Sequence, residues 1–178
     1  VFTRMLLGPM DYTPGGMRNS NERSFKAIRD IPRVQGTRAH MAAQYVLFLS
    51  TLQMISDMPS EYMKEQKLLD FIAAVPTTWD DTKVIEGKIG DYVVIARRKG
   101  DKWYLGGMCG WGGKDVEIDL SKFLPEGKYL AKIVRDTINS DDIPEDYKIE
   151  TKKVTSDTKL KLSMRSGGGF AVKFMPYK

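Results

Sequence analysis

The sequence predicts an α+β chain in two parts: the terminal strand and helices of a (β/α)8, or TIM, barrel, followed by an all-β antiparallel sandwich. Three observations carry that expectation. An apolar opening segment stops at a Gly-Pro turn, a helix-period stripe fills the next stretch, and from Thr82 onward alternating segments recur about every eight to twelve residues. The change of period falls near Val75-Pro76, so the expected domains are residues 1–76 and 77–178.

In the opening segment, Met5-Leu6-Leu7 ends at Gly8-Pro9 and is followed by Asp11, Tyr12 and Thr13. A buried parallel strand of a barrel delivers polar side chains to its carboxyl end in this way. Asp11, the only carboxylate there, has two readings: it caps the Pro-Met-Asp-Tyr-Thr-Pro turn through an Asx-type hydrogen bond, or it lines a pocket rim together with Tyr12. Arg4 stands among apolar neighbours, and a buried guanidinium requires a carboxylate partner, expected from outside this chain. Residues 15–35 form a polar connection longer than most βα loops, with a short helical turn over Ser24 to Ile28. Within it, Asn19-Ser20-Asn21-Glu22 and Arg29-Asp30 either face a ligand or are merely solvated.

From Thr37 to Asp57, apolar residues at Met41, Tyr45, Phe48, Leu49, Leu52 and Ile55 make a 3.6-period stripe widened by Val46, Leu47 and Met54, predicting a helix buried on more than one face. His40 on that helix reads as a structural histidine. Asp57-Met58-Pro59 ends it, and Ser60 with Glu61 begins a second helix that turns Tyr62, Leu69 and Ile72 inward before Pro76.

Beyond Thr82 the predicted strands are residues 83–85, 88–89, 92–98, 103–108, 116–120, 129–135, 147–154, 159–164 and 170–174, with turns at Glu86-Gly87 and Lys99-Gly100-Asp101-Lys102. Alternation is plain where Tyr129, Ala131 and Ile133 oppose Leu130, Lys132 and Val134. Trp103 and Trp111 are read as core aromatics, and Gly106-Gly107 as a close backbone approach. Tyr92, Tyr104 and both tryptophans are the faces on which such a domain would stack a sugar.

Composition narrows the function classes. The chain is 42% hydrophobic and 29% charged, an ordinary globular balance, and its most apolar stretch, Met41 to Leu49, is about half of a membrane span. A formal charge of +5 is spread among interleaved acids; the run Arg97-Arg98-Lys99 reads as a solvated hairpin end, so nucleic acid is not an expected partner. With one Cys and one His, a Cys/His zinc site and an intrachain disulfide are excluded.

The opening words Phe2-Thr3-Arg4-Met5-Leu6 and Gly8 to Gly15 resemble the last barrel strand of glycoside hydrolase family 97, α-glucosidases and α-galactosidases. Gly36 to His40, Leu52 to Asp57, Val75 to Thr82, Asp91 to Gly100 and Gly167 to Ala171 resemble that family in the same order. The pattern departs at Val1, where Pro is usual, and at Ser50-Thr51, where Ser-Pro is common. The resemblance covers the carboxyl-terminal part of the family's layout. It implies a periplasmic hydrolase that cleaves terminal α-linked glucose or galactose from oligosaccharides with calcium assistance, whose upstream barrel and N-terminal β-sandwich precede Val1. Because the family's two catalytic carboxyl groups and its calcium ligands match nothing here, no catalytic or metal-binding residue is expected in this chain. Asp11 and Tyr12 would then belong to the substrate-site rim, while Arg4 and His40 support it. The alternative is a non-catalytic carbohydrate-binding β-sandwich.

Overall fold

The computed structural model describes residues 1–3 and 5–177. Two short strands, β1 (Asn19–Ser20) and β2 (Val34–Gln35), pair in parallel ahead of three helices: α1 (Arg38–Leu47), α2 (Pro59–Met63) and α3 (Gln66–Ala73). Eight strands follow: β3 (Asp81–Lys88), β4 (Tyr92–Lys99), β5 (Lys102–Cys109), β6 (Lys114–Asp119), β7 (Lys128–Asp136), β8 (Tyr147–Thr155), β9 (Lys159–Met164) and β10 (Gly169–Pro176). Six form an antiparallel sheet in the order β3-β4-β5-β10-β7-β8, and β6 pairs with β9 as a separate antiparallel ribbon.

Period-two alternation gives the large sheet two apolar faces. On one, Val94, Leu105, Ile133, Phe170 and Phe174 pack against Val116, Ile118, Leu160 and Leu162 of the ribbon, which makes the expected sandwich. On the other, Tyr104, Val134 and Ala171 meet Ala39, Ala42 and Val46 of α1 and Leu68 and Phe71 of α3. Trp103 is buried beside Phe123, at 5.5 Å between ring centroids, as its core assignment requires. Gly106 brings α1 onto the sheet: a Cβ there would come within 3.0 Å of Leu47 Cγ and Val46 Cβ. The segments expected at 83–85 and 88–89 are one strand, β3. Glu86-Gly87 continues it past a register shift between Val84 and Glu86, a bulge on a sheet edge.

The opening strand does not form. Residues 2–3 and 5–7 are turns, Leu6 is 77% exposed and Leu7 fully so. A strand forms only where a neighbour accepts its backbone hydrogen bonds, and among the described residues no strand pairs with Met5-Leu6-Leu7. Arg4, expected to act from within that strand, lies outside the described residues.

Helix α1 is shorter than its stripe predicts. It stops at Leu47, because Phe48 turns extended at ψ 137. Arg97, read as part of a solvated hairpin end, is instead 4% exposed, and it donates to the Leu47 carbonyl at 3.1 Å and to Thr82 Oγ1 at 3.0 Å. A buried guanidinium at a helix carboxyl end satisfies an orphan carbonyl and complements the macrodipole. The expected second helix is divided into α2 and α3, with Pro59 rather than Ser60 at its first turn.

Glu65, just before α3, joins three layers. Its Oε1 accepts from Arg38 Nη1 of α1 at 2.8 Å, and its Oε2 from Tyr147 Oη of β8 at 2.8 Å. Arg38 Nη2 donates to the Met17 carbonyl at 2.7 Å.

His40, read from the sequence as a supporting residue, faces the Gly167–Gly169 turn. Its Nδ1 lies 3.1 Å from the Gly168 carbonyl, so the neutral tautomer with Nδ1–H donates there. Asp136 Oδ2 accepts from the backbone N–H groups of Arg165 and Gly169, both at 2.9 Å, and these contacts hold the Gly167–Gly169 turn against the start of α1. Burial pushes the His40 imidazole down from 6.5 to about 4, and pushes the Asp136 carboxyl up from 3.8 to about 6 against its hydrogen bonds. A histidine with a depressed folded value contributes stability that is present above its unfolded value and is lost as pH falls through it. Asp136 acts in the opposite sense, its contribution being present at low pH and lost as pH rises through about 6. The stability advantage of the native chain over His40→Gln should therefore shrink as pH is lowered from 6.5 to about 4. Urea unfolding of both proteins across that range tests this, and a difference independent of pH contradicts it.

Candidate functional site

Residues 10–15 are held between the helices by tyrosine hydroxyls. Tyr12 Oη donates to the Gln44 carbonyl at 3.1 Å, Tyr45 Oη to Pro14 at 3.1 Å and Tyr62 Oη to Gly15 at 2.7 Å. Gly15 has φ +85 and lies under the Tyr45 ring, leaving no room for a side chain. Met10 N–H donates to Leu49 at 3.3 Å, and Tyr12 bridges Gln53 in parallel. Short extended backbone alternates its side chains, so Tyr12 turns inward while Asp11 and Thr13 turn out.

The result is an open cleft of about 660 Å³ whose lining includes Asp11, Tyr12, Thr13, Phe25, Arg33 and Gln44. Phe48 closes its floor with an edge-to-face contact on Tyr12, at 4.9 Å between centroids. Burial raises the Tyr12 phenol well above its usual value, against the opposing charge of Arg97, so the hydroxyl stays neutral. The Asp11 carboxylate is exposed and accepts no hydrogen bond among the described residues, so no Asx cap is formed. Sequence reasoning placed Asp11 and Tyr12 together, and both line this cleft. It missed Phe25, Arg33 and Gln44. Gln44 is the one of the three with a local signal, a polar side chain set in the apolar stripe of α1.

The loop candidates divide. Asn19 and Ser20 are buried, with Asn19 Nδ2 donating to the Gly36 carbonyl at 3.0 Å, and Asn21 Nδ2 reaches the Asp141 carbonyl at 3.0 Å. These residues hold the loop in place. Glu22, Arg29 and Asp30 are exposed and do not line the cleft.

Asp11 is the single carboxylate in the lining. Glycoside hydrolysis requires two carboxyl groups, about 5 Å apart for retention or about 6.5–9.5 Å for inversion. The cleft has donors and acceptors for hydroxyl groups but not that pair. Cys109 supplies no nucleophile: its Sγ donates to the Arg165 carbonyl at 3.2 Å, and burial pushes the thiol up to about 11. Among the described residues no three His, Cys, Asp or Glu side chains are grouped to hold a metal ion. No helix among the described residues is long and apolar enough to cross a membrane.

A helix-backed antiparallel sandwich is thus preceded by an open cleft whose lining holds one carboxylate, Asp11. The chain belongs to glycoside hydrolase family 97: the family model described as "Glycosyl-hydrolase 97 C-terminal, oligomerisation" matches residues 78–175. A retaining alpha-galactosidase of Bacteroides thetaiotaomicron is 45% identical over 172 residues, which are 97% of this chain and 26% of that protein. A probable retaining alpha-galactosidase of Streptomyces bingchenggensis is 26% identical, over 96% of this chain and 24% of its own length. Among solved structures, a family 97 enzyme from Pseudoalteromonas sp. strain K8 in complex with acarbose superposes with a TM-score of 0.86 at 36% identity, covering 98% of this chain and 27% of that one. The chain thus spans about a quarter of the length of these relatives.

Proposed function

We propose that this chain is the carboxyl-terminal segment of a retaining glycoside hydrolase that removes terminal α-linked galactose, or glucose, from oligosaccharides. Residues 1–76 complete a (β/α)8 barrel supplied by the rest of the polypeptide, and residues 77–178 buttress it. The observation that carries this reading is the surface of the first part: among the described residues, nine of the thirteen exposed large hydrophobic side chains, from Leu6 to Met63, precede the sandwich. Apolar surface of that kind marks an interface. The retaining α-galactosidases among the relatives, and solved family 97 complexes with acarbose and panose, support the reaction class and the substrate.

In this reading Asp11 forms part of the rim and contacts sugar hydroxyls while buried Tyr12 supports the rim from beneath, and the two catalytic carboxyl groups lie about 5 Å apart elsewhere in the polypeptide. Calcium, an N-terminal β-sandwich and a periplasmic location belong to the whole protein by family resemblance.

Purified residues 1–178 should release no nitrophenol from p-nitrophenyl α-galactoside or α-glucoside, while the longer polypeptide should. Turnover by the 178-residue chain would overturn the assignment of chemistry to other segments.

A further inference from the structure

Along the sequence the lysines are interleaved with acids, yet the large sheet gathers three of them from separate strands. Lys132 of β7 pairs directly with Lys173 of β10, Lys173 pairs on its other side with Tyr104 of β5, and Lys102 stands two residues along β5 from Tyr104. Strand alternation puts all three on the face that carries Tyr104, Val134 and Ala171, the face covered by α1 and α3. That cover ends at Tyr104, whose hydroxyl donates to the Ala74 carbonyl at 3.0 Å and whose ring meets Trp79 at 5.2 Å between centroids. The lysine row begins where the helical layer stops.

Like charges directly opposite one another destabilise a sheet. Several other cations of the chain are compensated: Lys99 by Asp80, Lys161 by Glu117, and Arg135 and Lys152 by Glu150. The side chains of Lys102, Lys132 and Lys173 make no ion pair or hydrogen bond among the described residues. Lys132 and Lys173 are also half-buried, and burial, together with the charges of Lys102 and Lys132, lowers the Lys173 ammonium below its usual value. Next along the same face Leu130 stands directly opposite Met175, and both are half-buried.

The row calls for negative charge and the pair beside it for apolar cover. A bare polyanion meets the lysines and leaves Leu130 and Met175 in water, whereas a neutral apolar surface leaves the lysines uncompensated. A protein segment that combines carboxylates with an apolar side chain answers both. Helices of this polypeptide already dock on the same face, and the chain spans about a quarter of the length of its relatives. We propose that Lys102, Lys132 and Lys173 dock a carboxylate-bearing segment of the longer polypeptide, seated against Leu130 and Met175. The proposal rests on the reading of this chain as the carboxyl-terminal segment of a longer protein.

Lysine acetylation by an N-hydroxysuccinimide ester, read by mass spectrometry against an added lysine peptide, tests it. All three lysines should react readily in the 178-residue chain and about tenfold more slowly in the longer polypeptide, at every protein concentration. In the longer polypeptide, Lys132→Glu combined with Lys173→Glu should repel the segment and raise Lys102 reactivity by about tenfold; in the 178-residue chain it should change that reactivity by no more than about twofold. Lys132→Gln combined with Lys173→Gln covers the case in which the charge reversal fails to fold, and should raise Lys102 reactivity by about threefold in the longer polypeptide. Equal reactivity in the two proteins would overturn the proposal, as would protection that grows with protein concentration, which marks a second copy, or unaltered Lys102 reactivity in the double variants. Turnover is not part of the readout, so a longer polypeptide without hydrolase activity would sink the functional reading and leave this result standing.

Discussion

Glu65→Ala should destabilise the chain by about 2–3 kcal/mol, read as a lower midpoint in guanidinium unfolding with little change in slope. The cause is the charge left behind. Arg38 is 9% exposed, and its Nε already lacks a partner, so removing the carboxylate leaves a buried guanidinium held by the Met17 carbonyl and by the face of Tyr147, at 5.6 Å from the ring centroid. Breaking a fully buried pair costs about 3–5 kcal/mol; the Glu65 side chain is 34% exposed, and solvent screening reduces that figure. Glu65→Gln, which keeps an acceptor without the charge, should lose about half as much. Because Glu65 ties α1 and α3 to β8, the loss should also raise amide exchange in all three elements. A variant as stable as the parent would show that the helical layer is held by apolar packing alone.

Gly107→Val should cost at least about 3 kcal/mol and lower the melting temperature by about 6–12 °C. Gly107 of β5 stands opposite Phe170 of β10, and a Cβ at Gly107 would overlap the Phe170 ring, which is fully buried. Strand propensity works in the other direction, since valine is preferred to glycine in strands by about 1 kcal/mol. The sign of the measured change therefore decides between packing and propensity. Phe170→Ala in the Gly107→Val background should recover part of the loss if the ring is the obstacle. No recovery would place the strain in the backbone.

The sandwich was legible where alternation and turn chemistry agree. The Lys99-Gly100-Asp101-Lys102 turn fixes β4 against β5, with Lys99 paired to Lys102, and the strands containing Ile133 and Leu162 fall where their period-two patterns put them. What no local pattern reveals is that β10, the last strand, inserts between β5 and β7, because that choice is made by contacts far apart in the chain. Helix α1 was overextended for a related reason: Leu52 and Ile55 keep the period of a buried stripe, yet both are half-exposed or more in this chain. Arg97 was misread because a run of basic residues looks solvated until the end of α1 is brought above it. At the cleft, Asp11 and Tyr12 were visible as polar residues ending an apolar run. Phe25 and Arg33 come from an irregular loop whose path is set by buried Asn19 and Ser20, and nothing periodic announces them.

We propose that Met5, Leu6 and Leu7 become a barrel strand in a longer polypeptide. Amide hydrogen exchange at these three residues tests it most directly. In the isolated chain they should exchange rapidly, since Leu6 N–H has only a 3.3 Å turn contact to Thr3; in the longer polypeptide they should be protected as strongly as the amides of β5. Equally rapid exchange in both would contradict the account.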